Sequence, residues 1–303
     1  SDMTRIGGAL VLMTAAAGPA LGQETDIPLG DERPPEVAIL DPMAQDEGRF
    51  GVDVGAVAVS QYISRGVAFA EEPSLQPYAN IRIDLPELTG GGVTGVNLTF
   101  GTWGSLQDGP PGLGQANDGD FPGWYEADLY AGATIQLRDR WNGALTYYRY
   151  HSPADSFADY GDLELIVGYD DAGRWEDVPL RGFSLNPALR LAHELDRPGR
   201  KDALYVQPSL TPSFGLGAPE RELTVSIPLV AGFSDHYYDA IGGGKADYGF
   251  FRTGVAVSMT PFPQAVESLS LSGGVDLWFP NADVASGLDD QELVTRFGVN
   301  WSF

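Results

Sequence analysis

The stretch Glu292–Phe303, ELVTRFGVNWSF, alternates apolar and polar residues without interruption. In an extended strand successive side chains point to opposite faces. One face would carry Leu293, Thr295, Phe297, Val299, Trp301 and Phe303, and the other Glu292, Arg296, Gly298, Asn300 and Ser302. A two-residue period of this length predicts a β-strand with one apolar and one polar face.

The same period recurs upstream from Phe50 in segments separated by clusters of Gly, Pro, Asp and Asn. One example is Leu129, Ala131 and Ala133, which oppose Glu126 and Asp128. The segments number about twelve, and bacterial single-chain membrane barrels have an even number of strands.

A water-soluble β-sandwich would also alternate, but three features favour a membrane barrel. Charges recur on the polar face of strand after strand, as a wet lumen would allow. The longer links, 105–122, 234–246 and 280–290, follow odd-numbered strands, as expected for outer loops opposite short periplasmic turns. Aromatic residues near segment ends would form interfacial girdles: Phe50, Tyr62, Trp103, Tyr125, Trp141, Phe279, Trp301 and Phe303.

We therefore predict an all-β fold, a transmembrane antiparallel up-and-down β-barrel of about twelve strands over residues 49–303, located in the bacterial outer membrane. Five prolines conflict with this prediction, because a closed barrel has no free edge to accept them. They are Pro77, Pro187, Pro208, Pro212 and Pro228. Bulges or bends are the devices that accommodate such residues.

Residues 1–22 are interpreted as a cloning scar, Ser1 and Asp2, followed by a signal peptide with a basic start, an apolar run and a small-residue cleavage site before Gln23. Residues 23–48 are rich in Pro, Asp and Glu, and we predict a flexible segment that lies outside the barrel or threads into it.

The composition excludes several classes of function. The chain carries 42 acidic and 18 basic residues, a net charge of -24, which would repel the phosphates of nucleic acids. It has no cysteine, which rules out disulfides, zinc–thiolate sites and cysteine nucleophiles. No cofactor or metal site is predicted.

The stretch Val59–Val67, VSQYISRGV, followed by Gln76-Pro77-Tyr78, resembles the opening of the TorF-family porins of proteobacteria. In that family a first strand ends in a Tyr–Arg–Gly step. Similar pieces follow at 101–105 and 126–132, and the likeness covers residues 55–170. The resemblance implies an outer-membrane barrel, and it carries over no catalytic residues.

The lumen face of the predicted barrel holds the candidate functional residues. Four acids, Glu126, Asp128, Asp162 and Glu164, belong to the fourth and sixth strands, whereas Arg82, Arg252 and Arg296 belong to the second, tenth and twelfth. Opposite walls of acids and arginines would impose a transverse field on solutes. The alternative is that these charges pair and fill the lumen. Twelve strands predict a narrow pore.

Catalysis is not expected. His151 and Ser152 are reminiscent of the His-x-Ser arrangement of outer-membrane lipid hydrolases, but adjacent residues in a strand point to opposite faces. His193 is expected to face lipid and His236 to lie in a loop. Asn117, Asp118 and Asp120 supply oxygen atoms without a full calcium-loop pattern, so an acidic turn is the favoured interpretation.

The predicted function is passive diffusion of small hydrophilic solutes, with a weak preference for cations because acids outnumber bases on the lumen face. The alternative is a plugged structural or interaction barrel that binds a partner through its outer loops, 105–122 and 234–246. Outer-membrane lipid and the barrel-assembly machinery, through the terminal Phe303, are the expected partners.

Overall fold

The structure is a computed structural model that describes residues 49–303 except 139, 218–222, 240–245, 263–267 and 285–286. The predicted signal peptide and flexible segment therefore lie outside the described residues. Among the residues that are described, no helix has the length and hydropathy needed to cross a membrane.

The described chain is almost entirely β-structure. Its strands are β1 (Phe50–Val59), β2 (Tyr62–Ser64), β3 (Val67–Ala70), β4 (Ser74–Asp84), β5 (Val93–Gln107), β6 (Trp124–Leu137), β7 (Trp141–His151), β8 (Tyr160–Tyr169), β9 (Arg181–Ser184), β10 (Ala188–Leu195), β11 (Leu204–Leu210), β12 (Ser213–Leu216), β13 (Leu223–Ser226), β14 (Leu229–Ser234), β15 (Tyr248–Met259), β16 (Leu269–Pro280) and β17 (Glu292–Ser302). Two single-turn 3-10 helices span Pro86–Leu88 and Gly112–Gly114.

All strands except β2 and β3 form one antiparallel sheet that closes on itself, because β1 pairs with both β4 and β17. Three barrel strands are each divided in two, as β9 with β10, β11 with β12, and β13 with β14. The single strand β15 pairs with both β13 and β14. The described residues thus form a closed barrel of twelve strands, and the fold prediction is confirmed.

The five prolines occupy the places where the ladder does not need their missing N–H groups. Pro187, Pro212 and Pro228 lie in the breaks that divide the three interrupted strands. Pro208 and Pro77 lie within strands, but the pairing of β11 with β14, and of β4 with β5, skips these positions. A closed sheet therefore accepts them through local interruptions.

The outer wall is apolar around the full circumference. Each barrel strand presents a large, exposed apolar side chain: Phe50, Ile81, Phe100, Leu129, Leu145, Leu163, Leu189, Leu204, Phe233, Val255, Val275 and Phe297. A continuous apolar belt of this extent is unstable in water and matches a lipid environment. Most polar residues of the same strands face inward, as the alternation in the sequence predicts, and exceptions such as Arg149 and His193 are exposed near the loop end.

The two ends of the barrel differ in their connections. At one end, here called the loop end, the connections are 60–73, 108–123, 152–159, 196–203, 235–247 and 281–291. At the other, the turn end, they are 85–92, 138–140, 170–180, 217–222 and 260–268. The three long links predicted from the sequence all lie at the loop end.

Asp171 fixes the bend between β9 and β10 at the turn end. Its carboxylate accepts the backbone N–H groups of Leu185, at 2.9 and 3.0 Å, and Asn186, at 2.9 Å, and the indole N–H of Trp175 at 2.5 Å. Partial burial acts to raise the pKa of Asp171, but these donors outweigh it, and the pKa is lowered.

Replacing Asp171 by Ala should loosen this bend and cost about 2 kcal/mol of local stability, because three donors lose a charged acceptor. Because the folded-state pKa is lowered, the contribution is complete above the unfolded pKa of about 4 and is lost as the pH falls through the folded-state value. Limited proteolysis of the turn 170–180 at neutral pH provides the measurement. The exposed Asp177→Ala on the same turn is the control, and equal cleavage of both variants would contradict this role.

Candidate functional site

A hairpin fills the loop-end half of the lumen. After β1 ends at Val59, the chain turns inward and β2 pairs with β3, and every residue from 62 to 70 is buried. Arg65 and Gly66 form the two-residue turn with φ values of 46° and 79°, as primed hairpin turns require. A Cβ atom on Gly66 would lie 2.7 Å from the Phe250 ring, so the turn also needs glycine for space.

The hairpin was not predicted from the sequence, because small residues fall on both faces of the segment 50–62 and give no clear period there. The available signal was the run from Tyr62 to Ala70, which is apolar on both faces around an Arg-Gly step. A segment buried on both sides has this pattern.

The tip of the hairpin is held by a buried ion pair. The Arg65 guanidinium lies 2.6 Å from Asp162 of β8, and both side chains are fully buried. The Tyr150 hydroxyl donates to the same carboxylate at 3.3 Å. The guanidinium also lies over the rings of Tyr205, at 4.7 Å, and Tyr237, at 5.3 Å. Cation–π contacts of this kind are stronger where water is excluded.

Further hydrogen bonds fasten the hairpin to the wall and to the loops. The Tyr62 hydroxyl donates to Glu126 at 3.0 Å, and Gln107 donates its amide to the Phe69 carbonyl at 2.8 Å. Tyr238, in the loop 235–247, donates to the Arg65 carbonyl at 3.1 Å. Burial raises the pKa of Tyr238 well above its usual value, so this phenol stays a neutral donor.

Aromatic rings pack around the body of the hairpin. Tyr62 lies 5.5 Å from Phe69, 5.7 Å from Trp103 and 6.4 Å from Tyr125. The prediction that Tyr62, Trp103 and Tyr125 belong to the interfacial girdles was therefore wrong, because all three lie inside the barrel. Tyr125 points inward beside Glu126 because it is an extra residue at a β-bulge opposite β5.

The four predicted acidic residues all lie inside the barrel, in the loop-end halves of β6 and β8. Glu126, Asp128, Asp162 and Glu164 are each at most 3% exposed. Glu126 and Asp162 contact the hairpin directly, through Tyr62 and Arg65. Glu164 forms an ion pair at 2.5 Å with Arg190 of the neighbouring β10.

The three predicted arginines have different surroundings. Arg82 lies near the turn end, 3.2 Å from Asp84 of its own strand, and Arg296 lies 3.3 Å from Asp276 on β16. The Arg252 guanidinium lies 5.1 Å from the centre of the Trp278 ring. Glu164, Arg82 and Arg296 thus each have an oppositely charged partner on their own or a neighbouring strand, so charges of both signs lie close together on the wall. Arg65 was absent from the predicted set because the hairpin was not foreseen.

The turn-end half of the lumen differs from the loop-end half in the exposure and type of its side chains. Its inward side chains retain solvent-accessible surface and are mostly hydroxyl and amide groups: Asn80, Thr99, Thr134, Ser258, Ser272 and Asn300. We call this region the polar half-lumen. The lumen is therefore filled at the loop end and water-accessible at the turn end.

His151 and Ser152 do not face each other. The His151 ring is exposed, with Nδ1 2.7 Å from Asp159, whereas the buried Ser152 hydroxyl donates to the Tyr125 carbonyl at 2.6 Å. His193 lies exposed on the outer wall, and His236 lies in the loop 235–247, as expected. Within the described ranges no group of three or more His, Cys, Asp or Glu side chains is arranged to hold a metal ion.

A closed barrel with an apolar outer wall and a polar, charged interior defines a transmembrane β-barrel of the bacterial outer-membrane type. No protein-family model and no curated protein matches the chain. Among solved structures, an outer membrane channel from Pseudomonas putida F1 is similar with a TM-score of 0.47, 11% identity, and coverage of 84% of this chain and 95% of that chain.

Two further structures have comparable similarity. The β domain of the Bordetella autotransporter BrkA gives a TM-score of 0.46 at 12% identity, covering 84% of this chain and 99% of that chain. LpxR from Salmonella typhimurium gives 0.43 at 10% identity, covering 82% and 99%. Similarities at this level assign no function, which has to come from the geometry of the chain itself.

Proposed function

We propose that this chain is an outer-membrane channel for passive diffusion of small hydrophilic solutes, closed at its extracellular end by the hairpin of residues 60–73. The observation that carries the proposal is a water-accessible polar half-lumen beneath a plug that is held at its tip by an ion pair and hydrogen bonds and packed along its body by aromatic rings. The loop end is placed outside because long connections are extracellular in such barrels. No cofactor is needed for this role.

The hairpin is suited to reversible displacement because of how it is connected. Val59 and Ser74 are paired residues of β1 and β4, so the whole hairpin is an insertion at one barrel turn. Its departure from the lumen breaks none of the barrel's strand pairings, and at its ends it loosens the hydrogen bonds of Ser60 with Thr295 and of Pro73 with Asp108. Displacement exposes Glu126 and Asp162 to the lumen and removes the charge of Arg65.

A second candidate is a permanently plugged barrel that binds a partner through its outer loops. The complete burial of the Arg65–Asp162 ion pair favours it, because such a pair is costly to separate. Single-channel recording of the wild type separates the two candidates: a channel closed by a displaceable hairpin shows rare openings to the current of the hairpin-free barrel, whereas a permanently plugged barrel never opens while the hairpin is present.

The resemblance of residues 55–170 to TorF-family porins supports the channel, and we propose membership of that family. Both proposals agree with an outer-membrane location.

Weak cation preference is expected of the channel once the hairpin is displaced, because Arg65 then leaves the lumen and acids outnumber bases on the inward strand faces. Replacing Glu126, Asp128, Asp162 and Glu164 by their amides should reduce or reverse this preference. In a narrow pore such charges are screened less than on an open surface, where the Debye length is about 8 Å at physiological salt. Reversal potentials across a salt gradient, measured on the barrel lacking residues 60–73, provide the test.

The matched control is Glu176→Gln with Asp177→Asn, which neutralises two exposed acids on the turn 170–180. This control should leave the reversal potential nearly unchanged. An anion-selective pore, or a selectivity indifferent to the four amides, would show that these side chains do not set the field in the lumen.

A further inference from the structure

Tyrosine rings form a continuous row along one wall of the lumen. Tyr130 of β6 lies 5.1 Å from Tyr148 of β7, which lies 6.2 Å from Tyr150, and Tyr150 lies 4.6 Å from Tyr160 of β8. Tyr130 is partly exposed in the polar half-lumen, whereas Tyr148, Tyr150 and Tyr160 are buried beside the plug. The row therefore leads from the water-accessible half towards the hairpin.

The two rings nearest the turn end, Tyr78 and Tyr130, lie flat against the barrel wall because glycines leave room for them. Tyr130 covers Gly101 of β5, where a Cβ atom would overlap its ring, and its hydroxyl donates to Asn80 at 2.5 Å. Tyr78 lies in the same way over Gly55 of β1, where a Cβ atom would come within 2.5 Å of its ring, and donates to Asn300 at 2.9 Å. Each ring thus presents a face to the lumen while its hydroxyl is held at the wall.

Hydrogen-bonding groups accompany the rings on neighbouring inward positions. Asp128 precedes Tyr130 by two residues on the same face of β6, and Thr146 and Glu164 are paired residues on β7 and β8. The amides of Asn80 and Asn300 lie beside the rings nearest the turn end. Flat apolar faces next to acceptors and amides match a ligand with apolar ring faces and equatorial hydroxyl groups.

We infer that this tyrosine row, from Tyr130 to Tyr160, binds neutral saccharides together with Tyr78, and that sugars are a solute class of the channel. The inference deepens the proposed function and rests on it for transport, although binding itself requires no conduction. A pyranose ring would stack on the tyrosine faces, and its hydroxyls would be hydrogen-bonded by the partly exposed Asn80, Asn300 and Thr146.

The test measures binding of maltotetraose to the full-length barrel in detergent by isothermal titration calorimetry. The wild type should bind it weakly and saturably. Tyr130→Leu removes the ring face and should weaken binding about fivefold or more. Tyr130→Phe keeps the face and loses only the hydroxyl, so it should bind nearly as well as the wild type. Tyr147→Leu, on the exposed outer wall of the neighbouring strand, is the matched control and should have no effect.

Removal of residues 60–73 should tighten saccharide binding, because it makes the buried rings of Tyr148, Tyr150 and Tyr160 accessible to the sugar. Absence of saturable binding to both barrels would overturn the saccharide inference, and the channel would still stand if the hairpin-free barrel conducts. Binding that Tyr130→Leu leaves unchanged would also overturn it. Saturable, Tyr130-dependent binding to a barrel that never conducts would support the site and contradict the channel.

Discussion

Asp162→Asn is expected to release the hairpin tip from the lumen wall, at a cost of about 3–5 kcal/mol to hairpin docking. The substitution leaves the Arg65 guanidinium fully buried without the carboxylate that lies 2.6 Å away. Replacing both partners, as in Arg65→Met with Asp162→Leu, removes the uncompensated charge and should recover much of the loss. Such a contrast identifies a buried ion pair, since only the single variant buries an unpaired charge.

Thiol labelling offers a direct readout, because the chain has no cysteine of its own. Ser64 lies beside Arg65, is fully buried, and its hydroxyl makes no hydrogen bond within the described structure. Ser64→Cys should therefore be tolerated and protected from a charged thiol reagent. In the Asp162→Asn background its labelling should accelerate strongly, and the double replacement should restore protection.

Glu72→Cys, exposed on the same connection, should label fast in every background and serves as the control. Heat-dependent migration in SDS gels verifies that each barrel is folded. Where Asp162→Asn fails to fold, Arg65→Lys is the alternative variant, because it keeps the positive charge but replaces the planar guanidinium by an ammonium group that fits the carboxylate less well. It should give an intermediate labelling rate. A thiol introduced by Ser64→Cys that remains protected in a folded Asp162→Asn barrel would show that the ion pair does not hold the hairpin.

The barrel could be predicted from the sequence because membrane strands obey a strict local rule. Lipid-facing and lumen-facing residues alternate along a strand such as β17, so the two-residue period alone places Phe297 outside and Arg296 inside. The inward direction of Glu126, Asp128, Asp162 and Glu164 follows from the same rule. The pairing of charges does not, because it depends on which strands are neighbours and on their register, as Glu164 and Arg190 illustrate.

The plug could not be predicted in this way because its burial is a tertiary effect. Tyr62, Trp103 and Tyr125 are aromatic residues near strand ends, and the local pattern is the same for a girdle and for a lumen packed around a hairpin. The bulge at Tyr125 also breaks the period. The prolines are a similar case, since only the register shows that Pro77 is skipped by the pairing of β4 with β5 and Pro208 by the pairing of β11 with β14.

Conductance in planar bilayers of the wild type and of a barrel without the hairpin tests the central claim most directly. Because Val59 and Ser74 are paired, residues 60–73 can be replaced by an Asn-Gly turn that continues the ladder. The wild type should insert with little or no current. The conductance of the shortened barrel should be at least roughly tenfold higher, since its loop-end lumen is no longer filled. Glu71→Ala with Glu72→Ala, which leaves the hairpin in place, should behave as the wild type. A wild type that conducts as well as the shortened barrel, or a folded and inserted shortened barrel that remains silent, would contradict a channel closed by this hairpin.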